Sequence, residues 1–472
     1  METVTNRDAN APDKNSPEYL EYLKERGEKI KNEKWEALTD AFAKECPRER
    51  AEEIVSKLRA LQGMFSSRNA VWLARLYDPK IGGWYWSNSA RDNDEFLPDI
   101  EDTYTALCFI GSSGMSEMYG GDWVKAIPDW LKKKVGDYIS GCQNEDGFFY
   151  NIQWPKEFIS EDPARRQPRV MRDVGSAQYV LKKLGITPKY STEQKKEEKE
   201  KKDDAPRMLS QFESVENFKE YMQKIEDEIL AIDDANNRAA KYYYYGNMFQ
   251  SVTSYLNNNE EMKKIFIDFL ERHQNPETGL WADIVCYHAT NALHKIADVA
   301  NKIGYKLRYI DKMVDTVMKI IAITPEEIPA AGGVYIYNAW SCFPYIYENI
   351  LTLGDGTDEE RIEKKKSIKS RILDNAPALI ENAARQLEGF AREDGSFSYG
   401  RKGGGGTAQG CPICLPGILE GDMNGNVIAV NAVRRHILKA LEVGEYEVPV
   451  FTEYERVLFM NILEELNSSA DK

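Results

Sequence analysis

The sequence predicts an all-α protein, an (α/α)6 toroid of about six helical hairpins preceded by an N-terminal helical extension. Three observations predict it. Apolar residues recur at helical spacing, turns with a glycine and an aromatic residue recur between the helices, and the second helix of each pair is apolar on several faces. Amphipathic outer helices that alternate with buried inner helices are typical of a toroid, and an open helical solenoid is the rival arrangement.

The length and composition set the expected domain organisation. The chain has 472 residues, enough for one large repetitive domain or for two or three ordinary ones. We expect residues 1–60 to form the N-terminal extension and residues 61–472 to form the toroid. Residues 187–208 within the toroid are expected to form a charged, flexible insertion, because Thr192 to Asp204 is almost entirely Glu, Lys, Gln and Asp with no apolar anchor.

The charge and hydropathy argue against several partners and locations. Acidic residues outnumber basic ones by 77 to 62, and the net charge is −15. We therefore expect no nucleic-acid partner, because a phosphate backbone needs a basic surface. No apolar run is long enough to span a membrane, and the polar N-terminus lacks the apolar core of a signal peptide. A cytoplasmic location is expected, with seven free cysteines.

The helices follow in order along the chain. Three polar helices are expected in the extension, at residues 19–32, 34–45 and 48–61. The expected outer helices cover residues 70–77, 128–142 and 260–273, with a last one that ends at 391, and the turns after them are 78–84, 143–148, 274–281 and 392–397. In each turn Asp, Asn or Pro starts the reversal, Gly supplies a positive φ, and an aromatic residue packs on the preceding helix.

The expected inner helices are residues 99–111, 173–184, 242–256, 283–303, 335–353 and 422–443. In a toroid the N-termini of the inner helices converge on one opening. Their first turns are therefore the expected functional site.

The strongest local motif is Asp99-Ile100-Glu101-Asp102-Thr103, at the start of the first inner helix. Capping of the helix explains one or two of the three carboxylates, because acidic groups meet the positive end of the helix dipole. If the helix faces an enclosed cavity, the crowding of like charges raises the pKa of one carboxyl group. Such a group is a general acid at neutral pH.

This motif resembles the Asp-x-Asp-Asp-Thr motif of class II terpene cyclases, which include the squalene–hopene cyclases. The turns at 143–148 and 274–281 resemble the Gln–Trp repeats of the same superfamily of α/α toroids, which also contains the protein prenyltransferases. The resemblance implies protonation of an isoprenoid by Glu101, which stands where those cyclases have an aspartate, and orientation of Glu101 by Asp99 and Asp102. The metal-binding Asp-Asp-x-x-Asp motif of the other cyclase class is absent from the sequence.

Polar and aromatic side chains in the first turns of the other inner helices suit substrate binding. They are Arg172, Asp173, Tyr243, Tyr244, Asn247, Tyr287, His288, Tyr337, Trp340 and Asp422. Aromatic faces stabilise a carbocation and also stack on sugar rings, and each tyrosine is equally compatible with packing between helices. In a closed ring Asp422 of the last hairpin would lie near Glu101 and Asp102.

Two cysteine patterns invite comparison with zinc sites. Asp283, Cys286 and His288 resemble the ligand types of protein prenyltransferases, but their spacing does not match. Cys411 and Cys414 form one CxxC pair, with Cys342 as a conceivable third thiol, and one such pair is weak evidence for a metal. We expect free buried cysteines, no metal and no cofactor.

Three functions remain open from the sequence. The first is a class II-like terpenoid cyclase, an enzyme of the isomerase or lyase type that acts on a small isoprenoid. The second is a carbohydrate-active (α/α)6 enzyme, a glycoside hydrolase or polysaccharide lyase that acts on an oligosaccharide. It would pair Asp102 with Asp173, or Glu101 with Asp422. The third is a non-catalytic toroid that binds a partner.

Overall fold

The fold is all-α, as the sequence predicts. It is seen in a computed structural model that describes residues 11–14, 16–161, 163–190 and 210–470. Most of the charged insertion expected at 187–208 lies outside the described residues. No helix in the described ranges combines the length and the apolar character that a membrane crossing needs.

Helices make up nearly all the regular structure of the described chain. They are α1 Pro17–Phe42, α2 Arg48–Gln62, α3 Ser67–Arg75, α4 Asn88–Arg91, α5 Ile100–Ser112, α6 Trp123–Ala126, α7 Asp129–Gly141, α8 Lys156–Glu161, α9 Pro163–Leu184, α10 Val215–Leu230, α11 Ala235–Ser251, α12 Thr253–Asn257, α13 Glu260–His273, α14 Tyr287–Ile303, α15 Ile310–Ile321, α16 Gly333–Leu353, α17 Asp358–Glu388, α18 Met423–Val427, α19 Arg434–Ala440 and α20 Glu453–Ala470. A π-helical segment, Ile428–Val433, joins α18 to α19.

Two short antiparallel ribbons interrupt the helices. Strands β1 Tyr77–Asp78 and β2 Gly83–Trp84 pair with Tyr77 opposite Trp84. Strands β3 Thr407–Ala408 and β4 Cys411–Pro412 pair with Thr407 opposite Pro412. Each ribbon flanks a turn and is too short to form a sheet of its own.

The N-terminal region differs from its prediction in one respect. The two helices expected at 19–32 and 34–45 form the single helix α1. Its Trp35, Leu38 and Phe42 are buried, and α1 packs against α2 and α20. The polar residues between the two expected helices are compatible with a helix, so packing on one side is enough to keep it continuous.

The recurring turns adopt the predicted backbone. Gly82, Gly147, Gly279 and Gly395 all have positive φ, between 72° and 92°. Asx side chains organise the same turns, as in the second one, where Asp146 Oδ1 accepts the backbone N–H of Phe148 at 3.0 Å. The prediction that glycine supplies the left-handed residue of each turn is confirmed.

Tryptophan and glutamine side chains fasten these turns to the helices before them. The indole N–H groups of Trp84 and Trp281 donate to the carbonyl oxygens of Leu73 and Leu270, at 3.2 and 2.9 Å. Both tryptophans are fully buried. The amide of Gln274 donates to the Gly279 carbonyl at 2.8 Å and so spans its turn. The first and third of the four turns are therefore anchored by buried donors.

The inner helices pack in a connected series. Helix α5 contacts α9 on one side and α18 on the other, α19 contacts α16, α16 contacts α14, and α14 contacts α11. The predicted starts of three inner helices are wrong. Helix α9 begins at Pro163 rather than at Asp173, α11 begins at Ala235 rather than at Tyr242, and α14 begins at Tyr287 rather than at Asp283. The first turns of these three helices are therefore not where the sequence predicted.

The start of α18 packs closely against the segment around Ser398, and substitutions at Gly425 test this contact. A Cβ on Gly425 would lie 2.2 Å from the backbone carbon of Ser398, whereas a Cβ on Gly175 in α9 would meet nothing within 4 Å. We expect Gly425→Ala to lower the free energy of unfolding by about 1–3 kcal/mol through overpacking. Gly175→Ala should raise it by about 0.5–1 kcal/mol. Urea unfolding measures both, and equal effects would contradict this packing.

Candidate functional site

The N-terminal ends of several inner helices meet at one end of the molecule. The segment 84–89 joins α5 to α18, because Trp84 forms a β-bridge with Asp99 and Ser87 forms one with Asp422. The segment 397–400 joins α18 to α16. The Asp422 N–H donates to the Phe397 carbonyl at 3.0 Å, and the Gly333 N–H donates to the Tyr399 carbonyl at 3.2 Å.

Helix α14 reaches the same end through aromatic contact. The rings of Tyr287 and Tyr335, in the first turns of α14 and α16, stack with centroids 6.3 Å apart. His288 meets the ring of Tyr335 edge-on at 5.2 Å. We call this end the mouth, defined by the first turns of α5, α14, α16 and α18 with the side chains of Arg172 and Tyr243.

A buried arginine holds the acidic motif together. Arg169 of α9 is 0% exposed. Its Nη2 donates to Asp99 Oδ1 at 2.8 Å, and its Nε donates to both oxygens of Asp173, at 3.2 and 3.3 Å. Its Nη1 lies 3.1 Å from Glu101 Oε2. One guanidinium group thus pairs with three carboxylates from two helices.

Polar and aromatic groups from the segment after α7 complete this arrangement. Asn151 Nδ2 donates to Asp173 Oδ2 at 2.6 Å, and Asn151 Oδ1 accepts the N–H of Ile100 at 2.8 Å. The ring of Trp154 lies 5.0 Å from the Arg169 guanidinium carbon. Trp154 packs on the plane of the Arg169 guanidinium group, and the carboxylates accept hydrogen bonds from its N–H groups. The position of Arg169 is therefore fixed in every direction.

Asp102 differs from its neighbours because neither carboxyl oxygen has a hydrogen-bond partner among the described residues. Its side chain is buried. Burial, and next the charge of Asp99, raise the pKa of Asp102 well above its usual value, and Arg169 only partly opposes this. An unpartnered buried carboxyl is more stable in the neutral form. Asp102 is therefore the protonated acid of the motif.

Asp173 titrates in the same cluster. Burial raises the pKa of Asp173 to about 8, although its ion pair with Arg169 lowers it.

Asp99 caps α5 by accepting the Asp102 N–H at 2.8 Å. The capping role expected for this motif is therefore filled by its first residue.

Glu101 lies at the edge of the mouth between two arginines. One oxygen is 3.1 Å from Arg169 Nη1, and the other is 3.1 Å from Arg172 Nη2. The Arg172 side chain is 51% exposed, so it extends from the buried cluster to the protein surface. Two cations balance the charge of Glu101, which suits a carboxylate that binds or orients a ligand better than one that gives up a proton.

Tyrosines line the mouth opposite this pair. Tyr337 and Tyr399 lie within electrostatic range of both Tyr243 and Arg172. Burial, and then the neighbouring Tyr243, raise the pKa of Tyr399 to about 12 and the pKa of Tyr337 above its usual value. Burial also raises the pKa of Tyr335. These hydroxyl groups are therefore neutral and can each donate and accept a hydrogen bond.

Two predicted substrate-binding residues lie elsewhere. Tyr244 is 62% exposed and packs on Tyr245 and Lys241, next to the outer helix α10. Trp340 is fully buried and packs on Phe343 at 6.1 Å, so it belongs to the core. The run of four tyrosines turns its members to different faces of α11. Tyr242 and Tyr245 are buried, Tyr243 is partly exposed, and Tyr244 faces outward, and the sequence did not tell these faces apart.

Asp422 is a structural cap. Its two oxygens accept the backbone N–H groups of Gly425 at 2.8 Å and Tyr399 at 2.6 Å, and it is fully buried. Burial raises the pKa of Asp422 to about 7. Both carboxyl oxygens of Asp422 accept backbone N–H groups, one at the start of α18 and one in segment 397–400. The sequence predicted that Asp422 binds substrate, but the side chain serves as a helix cap instead.

The remaining predicted residues are spread over three helices. Arg172 and Asp173 lie well inside α9, and Asn247 lies one turn after Tyr243 on α11, partly exposed. The Tyr287 hydroxyl donates to the Ile323 carbonyl at 3.4 Å. The Nδ1 of His288 has no partner among the described residues, and burial lowers the pKa of this ring.

The cysteines show no arrangement for a metal. Cys286, Cys342, Cys411 and Cys414 are each buried free thiols. Within the described parts of the chain, no three His, Cys, Asp or Glu side chains are grouped as a metal site. Burial raises the pKa of Cys411 and of Cys414 to about 11, so both remain thiols at neutral pH.

Sequence reasoning missed Arg169 and Asn151. Pro168 stands immediately before Arg169, and a proline favours a helix boundary near it, which hid the first turns of α9. The spacing of Arg169 and Asp173 by four residues was a usable signal for an ion pair on one helix. Asn151 lies in a loop and gave no signal.

Comparisons with known proteins found no counterpart: no family model, no curated protein and no solved structure matches this chain. The resemblance to terpene cyclases therefore rests on the acidic motif and the turns alone. The geometry of the mouth is the basis for any statement about function.

The buried cluster predicts a large difference between two neighbouring arginines. We expect Arg169→Met to lower the free energy of unfolding by about 3–5 kcal/mol, because it leaves buried carboxylates without a counter-charge. Arg172→Met removes a half-exposed ion pair and should cost at most about 1 kcal/mol. Urea unfolding of both variants measures the difference. Similar losses would show that Arg169 does not hold the cluster together.

The raised pKa of Asp102 predicts a pH dependence of stability. In the folded state Asp102 keeps its proton at pH values where the unfolded chain has released it. Its stabilising contribution is therefore complete below about pH 4 and is lost as the pH rises towards the folded-state value. Relative to wild type, Asp102→Asn should gain up to about 1.4 kcal/mol of stability per pH unit over that range. Asp129→Asn is the control. Lys132 lowers the pKa of the exposed Asp129, so this variant should not gain stability relative to wild type as the pH rises.

Proposed function

We propose that the protein is a carbohydrate-active enzyme that binds an oligosaccharide at the mouth. The observation that carries this proposal is the lining of neutral tyrosine hydroxyls around the half-exposed Arg172. Hydroxyl groups that donate and accept suit a ligand that does the same, and aromatic rings suit the flat faces of sugars. The carbohydrate alternative of the sequence predictions is thus the better supported one.

Elimination is favoured over hydrolysis as the reaction. A glycoside hydrolase needs two carboxyl groups on opposite sides of the bond. Neither expected pair spans the mouth, because Asp173 is held by Arg169 and Asn151 and Asp422 is a helix cap. A lyase instead needs a cation beside a sugar carboxylate and groups that move protons, and Arg172 and the tyrosines supply those chemical types.

In the proposed reaction Arg172 pairs with the carboxylate of a uronate residue, which makes the adjacent C5–H more acidic. One tyrosine of the mouth gives its hydroxyl proton to the glycosidic oxygen as the same tyrosine oxygen takes the C5 proton. The electron pair of the C5–H bond forms the C4–C5 double bond, the bond from C4 to the glycosidic oxygen breaks, and the tyrosine ends in its starting state. No water or redox partner is consumed. Glu101 orients Arg172 through its 3.1 Å ion pair.

A panel of polysaccharides tests this function. Homogalacturonan, alginate and hyaluronan are incubated with the protein, with uncharged dextran as the control, and unsaturated products are followed by absorbance and mass spectrometry. We expect one uronate polymer to be cleaved and Arg172→Ala to lower the rate by about 100-fold or more. Tyr337→Phe should also slow cleavage, whereas Tyr244→Phe, outside the mouth, should not. Absence of both cleavage and binding across the panel would refute the proposal.

A second candidate is the protonation-initiated isoprenoid cyclase, and one observation favours it. Asp102 is a neutral buried acid within the Asp-x-Glu-Asp motif. In this version Asp102, rather than Glu101, is the proton donor, since Glu101 is paired with two arginines. Incubation with squalene and with geranylgeranyl diphosphate, analysed for cyclic products, is the corresponding arm of the panel. Cyclic products from wild type that are lost in Asp102→Asn would favour the cyclase over the lyase.

A further inference from the structure

We propose that His436, which the sequence predictions did not include, binds the ligand: its ring nitrogen Nε2 accepts a hydrogen bond from a sugar hydroxyl at the floor of the mouth. The identity of the ligand as a sugar rests on the proposed function. His436 lies on α19, on the last inner helix of the series, and its side chain is partly exposed. The tautomer and position of its ring follow from its neighbours.

Ser341 sets the tautomer of His436. The Ser341 hydroxyl lies 2.7 Å from His436 Nδ1 and also donates to the Tyr337 carbonyl at 2.8 Å. A hydroxyl has one proton, and we assign it to the bond with the carbonyl, so that Nδ1 donates its own proton to the serine oxygen. In a neutral ring the other nitrogen, Nε2, is then the acceptor. It makes no hydrogen bond among the described residues.

Stacking places the ring beneath the tyrosines of the mouth. Tyr337 lies over His436 with ring centroids 5.0 Å apart and planes 20° apart. Tyr337 is also the residue in range of Tyr243, Tyr399 and Arg172. The histidine is therefore joined to the proposed ligand-binding surface by direct contact.

The packing of α16 against the last helical stretch positions His436. The π-helical segment Ile428–Val433 and α19 follow one another along α16. Gly333 faces Ile428, Ser341 faces His436, and the Tyr347 hydroxyl donates to the Ala440 carbonyl at 3.1 Å. This side-by-side packing brings His436 onto Ser341 and Tyr337.

The surroundings of His436 keep the ring neutral. Burial, and then the positive charges of Lys439 and Arg435, lower the pKa of His436 to about 4. His294, one layer deeper beside Tyr345, is also neutral, with a pKa of about 3 caused first by burial. The Nδ1 of His294 has no hydrogen-bond partner among the described residues. His294 is therefore a matched control in which no hydrogen bond fixes the tautomer.

The test begins with the tautomer, before any ligand is added. The chain has four histidines, so long-range ¹H–¹⁵N correlation spectra can assign each ring. We expect His436 to be in the Nδ1–H form at neutral pH and Ser341→Ala to convert it to a mixture. Diethyl pyrocarbonate, which reacts with accessible unprotonated ring nitrogens, should modify His436 faster than His294. A protonated Nε2, or an unreactive His436, would overturn the inference without affecting the proposed function.

The second stage adds trigalacturonate, with maltotriose as the uncharged probe, and calorimetry measures binding. We expect the bound trisaccharide to protect His436 from diethyl pyrocarbonate and to shift its Nε2 resonance. His436→Phe, which keeps a ring against Tyr337, should weaken binding about three- to tenfold, the effect of one lost hydrogen bond. His294→Gln should leave binding unchanged.

The outcomes separate the two proposals. Trisaccharide binding with no protection of His436 and no effect of His436→Phe would overturn the role of His436 and leave the carbohydrate function intact. If neither trisaccharide binds and the polysaccharide panel also fails, the carbohydrate function is refuted and this role of His436 with it.

Discussion

The arrangement of the mouth depends on one buried guanidinium group. Arg169 joins the start of α5 to the middle of α9 through carboxylates on both helices, and the loop at Asn151 and Trp154 closes around it. Charged groups of this kind are costly to bury unless every one of them is paired, so the positions of the helices are tightly constrained. The same cluster also positions the exposed Arg172, because Arg172 and Arg169 each form an ion pair with Glu101.

The same constraint explains the division of roles among the four acids. Asp99, Glu101 and Asp173 each contact an arginine, and Asp102 contacts none. Two arginines cannot balance four buried negative charges, and burial raises the pKa of Asp102 well above its usual value and the pKa of Asp173 to about 8. The motif therefore combines a cap, a buried carboxylate that pairs with the exposed Arg172, and a neutral acid within four residues, although they are of nearly the same chemical type. Position relative to Arg169, rather than residue identity, separates them.

Much of the fold and part of the site could be predicted from the sequence. The all-α class and the glycine turns follow from local rules, since a turn such as the one at Asp146 is stabilised by its own residues. The acidic motif was recognisable, but its partners were not, because Arg169 and Asn151 are distant in sequence and the proline at 168 concealed the helix. Tyr244 and Trp340 were misplaced because composition does not tell which face of a helix is buried. His436 was missed because its contacts, Ser341 and Tyr337, come from another helix that is distant in sequence.

The common orientation of the inner helices has an electrostatic consequence. Helices α5, α14, α16 and α18 all begin at the mouth, so the positive ends of their dipoles point towards it. The chain as a whole carries a charge of −15. An anion approaching from solution is therefore repelled at long range by the outer surface and attracted only close to the opening. Added salt screens the repulsion more than the local attraction, so moderate ionic strength would speed the entry of an anionic ligand rather than slow it.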